Sequence, residues 1–305
     1  MRWNDLSMSP CNLCPRECMV DRKAGQVGFC RADDVIRVAR AALHRWEEPC
    51  ISGERGSGTV FFSGCNLHCV YCQNYEIATG QSGKPVSVGR LAEIFLALQE
   101  KGAANINLVT PDHYVTGAAQ AVLLARQMGL VLPVVYNGSG YEKKEVIRQL
   151  AGIVDIYLTD FKYMDPEPAA RYSAAPDYPE TARAALSEMV RTVGKPVFGK
   201  DGMMQKGVIV RHLLLPGHKR NARAVIRYVY ETYGDDVYLS LMNQYTPFDR
   251  LRERPECRDI CRKVTAREYQ AVVDYAVELG VCNAYVQEGD TAKESFIPSF
   301  DGEGV

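Results

Sequence analysis

Three cysteines share one short stretch, Gly64-Cys65-Asn66-Leu67-His68-Cys69-Val70-Tyr71-Cys72-Gln73-Asn74, which follows the apolar run Thr59-Val60-Phe61-Phe62. That run reads as a short buried strand, so Cys65, Cys69 and Cys72 belong to a single loop at a strand's end. Structural zinc and closed iron–sulfur sites usually complete their coordination with four side chains. Three thiolates hold three irons of a [4Fe–4S] cube and leave the fourth iron without a protein ligand. An open iron is a place for chemistry. The alternatives are a partial zinc site or buried structural cysteines. The strand before the motif and the aromatic Tyr71 within it favour the open cluster.

From Thr59 onward, strand-like and helix-like segments alternate. Apolar runs fall at Thr59–Phe62, Asn105–Thr110, Leu132–Tyr136, Val154–Asp160, Val208–Leu215 and Val237–Met242. Amphipathic stretches lie between them at Arg90–Glu100, Val115–Met128, Glu142–Leu150, Thr181–Val193 and Asn221–Tyr233. Leu91, Ile94, Phe95 and Leu98 repeat at i, i+3, i+4, i+7, one face of a helix. Such alternation predicts an α/β fold of parallel strands joined by right-handed crossovers. In parallel barrels, function gathers at the C-terminal ends of the strands. Three regions are expected: a Cys-rich N-terminal metal-binding arm over 1–55, a barrel core over 56–248, and a helical extension with a tail over 249–305. The extension carries a charged connector from Asp249 to Lys263, a helix over Thr265–Leu279 and a short strand at Ala284–Val286.

Composition excludes several classes. The chain has 305 residues, a formal charge of −1 and 47% hydrophobic residues, as a soluble globular protein does. Its Lys and Arg are scattered, with no basic face for nucleic acid. No apolar run approaches membrane-spanning length, and Met1–Asp5 lacks the apolar centre of a signal peptide. Among the eleven cysteines, close pairs such as Cys11/Cys14 and Cys69/Cys72 suit metal ligation, which needs reduced thiols and hence a cytoplasmic compartment.

A second set, Cys11, Cys14, Cys18 and Cys30, follows C-x2-C-x3-C-x11-C amid turn-forming Gly and Pro. Four such cysteines can enclose one metal site, as zinc or as a closed auxiliary Fe–S cluster. Zinc would be structural, whereas a cluster could relay electrons. The null is a metal-free arm with little apolar mass to pack. Cys257, Cys261 and Cys282 are too few and too scattered to define a closed site.

The C-x3-C-x-aromatic-C motif resembles that of the radical S-adenosylmethionine superfamily. Phe61–Asn74 (FFSGCNLHCVYCQN), Asn105–Thr110 (NINLVT), Asp155–Tyr163 (DIYLTDFKY), Arg211–Gly217 (RHLLLPG), Leu241–Pro247 and the CNLCPREC arm resemble, more narrowly, an uncharacterised Fe–S family homologous to pyruvate formate-lyase activating enzymes. The resemblance implies an open partial (β/α)6 barrel with a Cys-rich N-terminal extension, a [4Fe–4S] cluster on Cys65, Cys69 and Cys72, and bound S-adenosylmethionine. It also implies an electron donor such as flavodoxin or ferredoxin, and a glycyl radical enzyme or other protein or peptide as partner.

Carried over by position, Tyr71 packs near adenine, and Asp160 and Lys162 match an Asp-x-Lys pair that contacts the cofactor. A carboxylate can accept from ribose hydroxyls or the ammonium, and a lysine can pair with the carboxylate. The second strand departs from the pattern, ending Val109-Thr110-Pro111-Asp112-His113 where a Gly-Gly-Glu-Pro-like segment is usual. Thr110 is the expected acceptor for the ammonium there, with Asp112 a substitute for the missing glutamate. Asn137 lies in a Gly-rich turn beside the cofactor. Gln244, together with Arg211, His212 and Tyr245, sits near the last strand ends. The activity this implies is radical cleavage of S-adenosylmethionine, directed to a partner's glycyl loop. Alternatives are the same cleavage directed at a small molecule or peptide, or a non-enzymatic Fe–S electron carrier.

Overall fold

The computed structural model describes residues 6–80, 82–287 and 298–305; the chain start Met1–Asp5 lies outside them. All six expected strands form: β2 (Ser57–Phe62), β4 (Ile106–Val109), β5 (Val134–Gly138), β6 (Ile156–Asp160), β8 (Met204–Leu213) and β9 (Tyr238–Met242). They pair in parallel in that order. A seventh parallel strand, β10 (Ala284–Val286), extends β9 at one edge. At the other edge β1 (Arg37–His44) pairs antiparallel with β2, and β3 (Lys84–Pro85) pairs antiparallel with β1. A short β7 (Val197–Phe198) folds back on β8. The ten strands form one open sheet, running β10-β9-β8-β6-β5-β4-β2-β1-β3, that does not close into a barrel.

The alternation along each strand decides what each face carries. Val60, Leu108, Tyr136, Tyr157 and Val208 point to the large core under the helices. On the other face, Val135, Ile156, Leu158 and Ile209 form a smaller apolar cluster with Ile51 and Met204. Further along that second face, toward the strands' C-terminal ends, the same period brings up Asn137, Asp160 and Arg211. One face of the sheet is therefore apolar at one end and polar at the other.

The crossovers are α1 (Pro49–Ser52), α2 (Tyr75–Ala78), α3 (Val88–Glu100), α4 (Val115–Gln127), α5 (Lys144–Gln149), α6 (Pro166–Ser173), α7 (Tyr178–Val193) and α8 (Lys219–Tyr233). In α3 the Ser87 side chain accepts from the Arg90 amide as an N-cap, and Leu91, Ile94, Phe95 and Leu98 are its buried face. Such a cap is worth about 1 kcal/mol. The extension adds α9 (Ala266–Leu279), which opens on a reciprocal Thr265–Glu268 capping box and ends on a left-handed Gly280. No helix among the described residues is long and apolar enough to cross a membrane.

Two joints depart from the three-region expectation. Residues 37–44, inside the segment read as a metal arm, are a strand of the main sheet. The end of the tail also returns to it: Gly302 donates to the Ala39 carbonyl at 3.0 Å, and Ala41 donates to Glu303 at 2.9 Å. The Cys-rich arm itself ends before β1.

Candidate active site

A cavity of about 230 Å³ opens at the polar end of the strands. Cys65, Cys69 and Cys72 line it together with Tyr71, Thr110, Asn137, Asp160, Lys162 and Gln244. Of the residues expected around the cofactor, these nine share one space, and Asp112 does not.

The cysteine loop is held tightly. Gly64 adopts φ +99, and a side chain there would meet the Cys30 carbonyl at 2.6 Å. His68, at φ 57, turns the chain between the first two cysteines. Arg250 reaches in from the charged connector, donating to the carbonyls of Val70 at 3.3 Å and Cys72 at 2.7 Å. Its guanidinium lies over the Tyr75 and Phe248 rings. The Ser173 hydroxyl donates to Cys69 Sγ at 2.9 Å and so accepts from the Tyr163 phenol, which accepts in turn from Tyr71. Burial, then the two neighbouring thiols, push the Cys65 thiol far up; burial and Cys69 push Cys72 up to about 12.

That donor set fits a cluster. Among the described residues no three His, Cys, Asp or Glu side chains converge on a point that would hold a single ion. Cys65, Cys69 and Cys72 would hold three irons of a cube and would leave one iron without a protein ligand.

Asp160 and Lys162 form the charged wall. Lys162 Nζ lies 2.5 Å from Asp160 Oδ2, and both side chains are largely buried. Burial alone would lower the lysine's pKa, but Asp160 and the thiol of Cys69 outweigh it and hold the ammonium charged. The Lys162 amide donates to the Tyr178 phenol, which donates to the Ser139 carbonyl at 2.8 Å. Gly140, at φ +80, leaves room for the Asp160 carbonyl, which a Cβ would approach to 2.2 Å. The Gly-rich turn thus braces the end of β6. Thr110, a β-branched residue at φ 55, is a backbone outlier of the kind that persists only under strong tertiary constraint. Its amide donates to the Asn137 carbonyl at 2.9 Å.

Sequence reasoning missed Glu47. Its carboxylate accepts from Asn107 at 3.0 Å, Asn137 at 3.2 Å and Arg211 at 2.9 Å, and the arginine also faces Glu48. Burial raises the pKa of Glu48, against the pull of Arg211. Glu47 and Arg211 both line the cavity. In the run His44-Arg45-Trp46-Glu47-Glu48 nothing separates such a residue from a solvated acid.

Several expectations are corrected. Asp112 does not face the cofactor space: it is buried, accepts from the Tyr136 phenol at 3.1 Å and adjoins Glu142. His113 is a core histidine bonded to the Ser63 carbonyl at 2.7 Å, and burial lowers its pKa to about 3. His212 is likewise buried and bonded to the Phe161 carbonyl. The Tyr245 phenol donates to Ile260. Cys261 donates to the Cys257 carbonyl, while Cys282 is exposed.

The N-terminal quartet folds against the cysteine loop. Cys14 is close enough to Cys11 and Cys30 to feel both thiols, and Cys30 feels Cys11 and Cys18. Burial foremost pushes Cys14 up to about 12. Backbone bonds Cys11 to Val20 and Met19 to Cys11 close the arm on itself.

Three comparisons bear on this geometry. Residues 59–227, more than half of the chain, match the model of the Radical SAM superfamily. The uncharacterized protein MJ0674 of Methanocaldococcus jannaschii is 29% identical over 276 residues, which cover 87% of this chain and 74% of that one. Streptococcus suis SuiB bound to precursor peptide SuiA is similar at 12% identity and TM-score 0.49, over 75% of this chain and 48% of that one. SuiB bound to S-adenosylmethionine gives 12% and 0.49 over 74% and 49%. This chain spans about half the length of those SuiB chains.

Proposed function

The chain belongs to the Radical SAM superfamily, and on that premise we propose that its cavity binds S-adenosylmethionine beside a [4Fe–4S] cluster on Cys65, Cys69 and Cys72. When bound, that pair supplies a 5′-deoxyadenosyl radical able to abstract a hydrogen atom. The observation that carries the proposal is the meeting of the three thiols with the buried Asp160–Lys162 pair in one cavity. Lys162, kept charged, pairs with the methionine carboxylate, and Asp160 accepts from ribose hydroxyls or the ammonium. Thr110 and Asn137 present oxygen acceptors, and Tyr71 packs its ring at the nucleoside. The surrounding tyrosines exclude water, which strengthens each of these contacts.

The finer reading is an oxidoreductase of the activating-enzyme type, acting in the cytoplasm on the glycyl loop of a partner enzyme with flavodoxin or ferredoxin as electron donor. The motifs from Phe61 to Pro247 support it. A second reading directs the same radical to a small molecule or peptide. The two readings differ in the cavity each needs, a protein loop requiring an open groove and a small target a closed pocket. The N-terminal quartet is proposed as a second metal centre, an Fe–S cluster or zinc.

Anaerobic, iron-loaded, reduced protein given S-adenosylmethionine should release 5′-deoxyadenosine and methionine, read by mass spectrometry. Loaded protein that yields no 5′-deoxyadenosine under several reductants would shift the assignment to an electron carrier. A glycyl radical signal on a candidate partner separates the activase reading from the small-target one.

A further inference from the structure

The three thiols of the cavity are not held alike. Cys65 Sγ accepts from a backbone amide, that of Leu67 at 3.4 Å, whereas Cys69 Sγ accepts from the Ser173 hydroxyl at 2.9 Å. Ser173 is the last residue of α6, which a left-handed Ala174 ends. The Val70 amide donates to the Tyr172 carbonyl at 2.8 Å, and Arg16 donates to the Ser173 carbonyl at 3.3 Å, so the helix end is fixed against the cysteine loop. Behind Ser173 the hydroxyls continue. The Tyr163 phenol lies 2.8 Å from the Ser173 oxygen and 2.7 Å from that of Tyr71. Cys69 and Tyr71, the two ends of this chain, line the cavity; between them Ser173 is 0% and Tyr163 1% exposed. A ligating thiolate carries no proton, so Ser173 can only donate to Cys69 and then accepts from Tyr163, which accepts from Tyr71. Each hydroxyl polarises the next, and burial keeps water from competing.

We infer that this chain of hydroxyls, Tyr71–Tyr163–Ser173, sets the reduction potential of the open cluster through Cys69. The inference rests on the proposed cluster at Cys65, Cys69 and Cys72. One electron entering a cluster adds negative charge that its sulfurs share. A hydroxyl donating to one of those sulfurs stabilises the reduced form more than the oxidised one and so raises the potential. Ser173 and Tyr163 are positioning residues here: Ser173 touches the ligand, and Tyr163 aims and polarises Ser173. No bond is made or broken and no proton changes place; the hydroxyls act by where they point.

The test uses full-length, reconstituted protein. The midpoint potential of the open cluster is read by anaerobic redox titration of its electron paramagnetic resonance, the signal being identified by its change on adding S-adenosylmethionine. Ser173→Ala should lower that potential by the equivalent of about a tenfold loss in the reduction equilibrium, ~59 mV for one electron. Tyr163→Phe, which keeps the ring and the Ser173 hydroxyl, should lower it by less. Ser173→Thr, which keeps a hydroxyl, should return it toward the wild-type value. Iron and sulfide analysis checks that each variant is loaded. Equal potentials in wild type and loaded Ser173→Ala overturn the inference. Should Ser173→Ala fail to load, an unchanged potential in Tyr163→Phe overturns it as well. A wild-type protein with no S-adenosylmethionine-sensitive signal overturns the underlying function instead.

Discussion

The two cysteine regions use the same side chain to opposite ends. On the arm, four thiols sit on one short stretch of chain, Cys14 and Cys30 close enough to their neighbours to feel them; on the loop after β2, three thiols line a cavity that also carries Glu47, Asp160, Lys162 and Arg211. The arm's own turns lie between residues 7 and 31, and it meets the rest of the chain through Arg16 on Asn66, Arg22 on His113 and Lys143 on Asn12. The loop's environment is assembled from strands far apart in sequence: Asn137, Asp160 and Arg211 reach it from β5, β6 and β8. A closed set can hold a centre but offers no coordination site, while an open set offers a site and depends on distant residues to fill it usefully. The contrast predicts different consequences for equivalent substitutions.

The largest effect should come from Cys69→Ala. Two thiolates cannot retain the cluster, so release of 5′-deoxyadenosine in quenched anaerobic reactions should vanish almost completely. Cys14→Ser should instead remove the arm's metal and loosen residues 7–31 while the loop still binds its own. Hydrogen exchange should speed up on the arm alone. Loss of loop iron in that variant would break the distinction between the two sites.

Gly64→Ala tests the contact between the two regions. The substitution forces a side chain into φ +99 and against the Cys30 carbonyl, a cost of about 1–3 kcal/mol. Chemical denaturation should show that loss, with both cysteine sites disturbed together. Lys162→Ala should act on the open site only, weakening S-adenosylmethionine binding by ~1–3 kcal/mol through loss of a charge-assisted hydrogen bond. Calorimetric titration under anaerobic conditions is the check. An unchanged affinity would place the cofactor's carboxylate elsewhere.

What could be read from sequence follows the same local-versus-distant divide. The six parallel strands were legible because both faces of a buried parallel strand are apolar, and the run itself is the signal. The cysteine motifs and Asp160-Phe161-Lys162 were legible as spacing. Antiparallel β1 was not, because the arginines of Arg37–His44 fall three apart and break strict alternation, and its pairing with β2 is a long-range choice of register. Glu47 was hidden for the same reason: Asn107, Asn137 and Arg211 give it meaning only once the sheet exists. Asp112 was misplaced by matching it to the glutamate that the family pattern has there. The left-handed Thr110 re-aims the chain, and Asp112 ends among Tyr136 and Glu142 instead.

The last effect concerns acid and the seam between the regions. His113 lies on that seam: its carbonyl accepts from Arg22 of the arm at 2.5 Å, and its ring bonds the Ser63 carbonyl beside the loop. Burial, more than any charge, lowers its pKa from 6.5 to about 3. Between those two values the unfolded chain binds a proton at this residue and the folded chain does not. The stability this neutral histidine contributes is therefore complete above about pH 6.5 and declines as pH falls toward 3. Within that window the slope should approach about 1.4 kcal/mol per pH unit for this residue. His212, lowered by burial to about 4, adds a similar slope over a narrower range. Replacing His113 by Gln should lower stability at every pH through lost packing, yet flatten the pH dependence by one proton. Denaturant midpoints measured from pH 7 to pH 4.5 give that slope directly. If the variant keeps the wild-type slope, His113 is already protonated in the folded chain and the seam is not where acid acts.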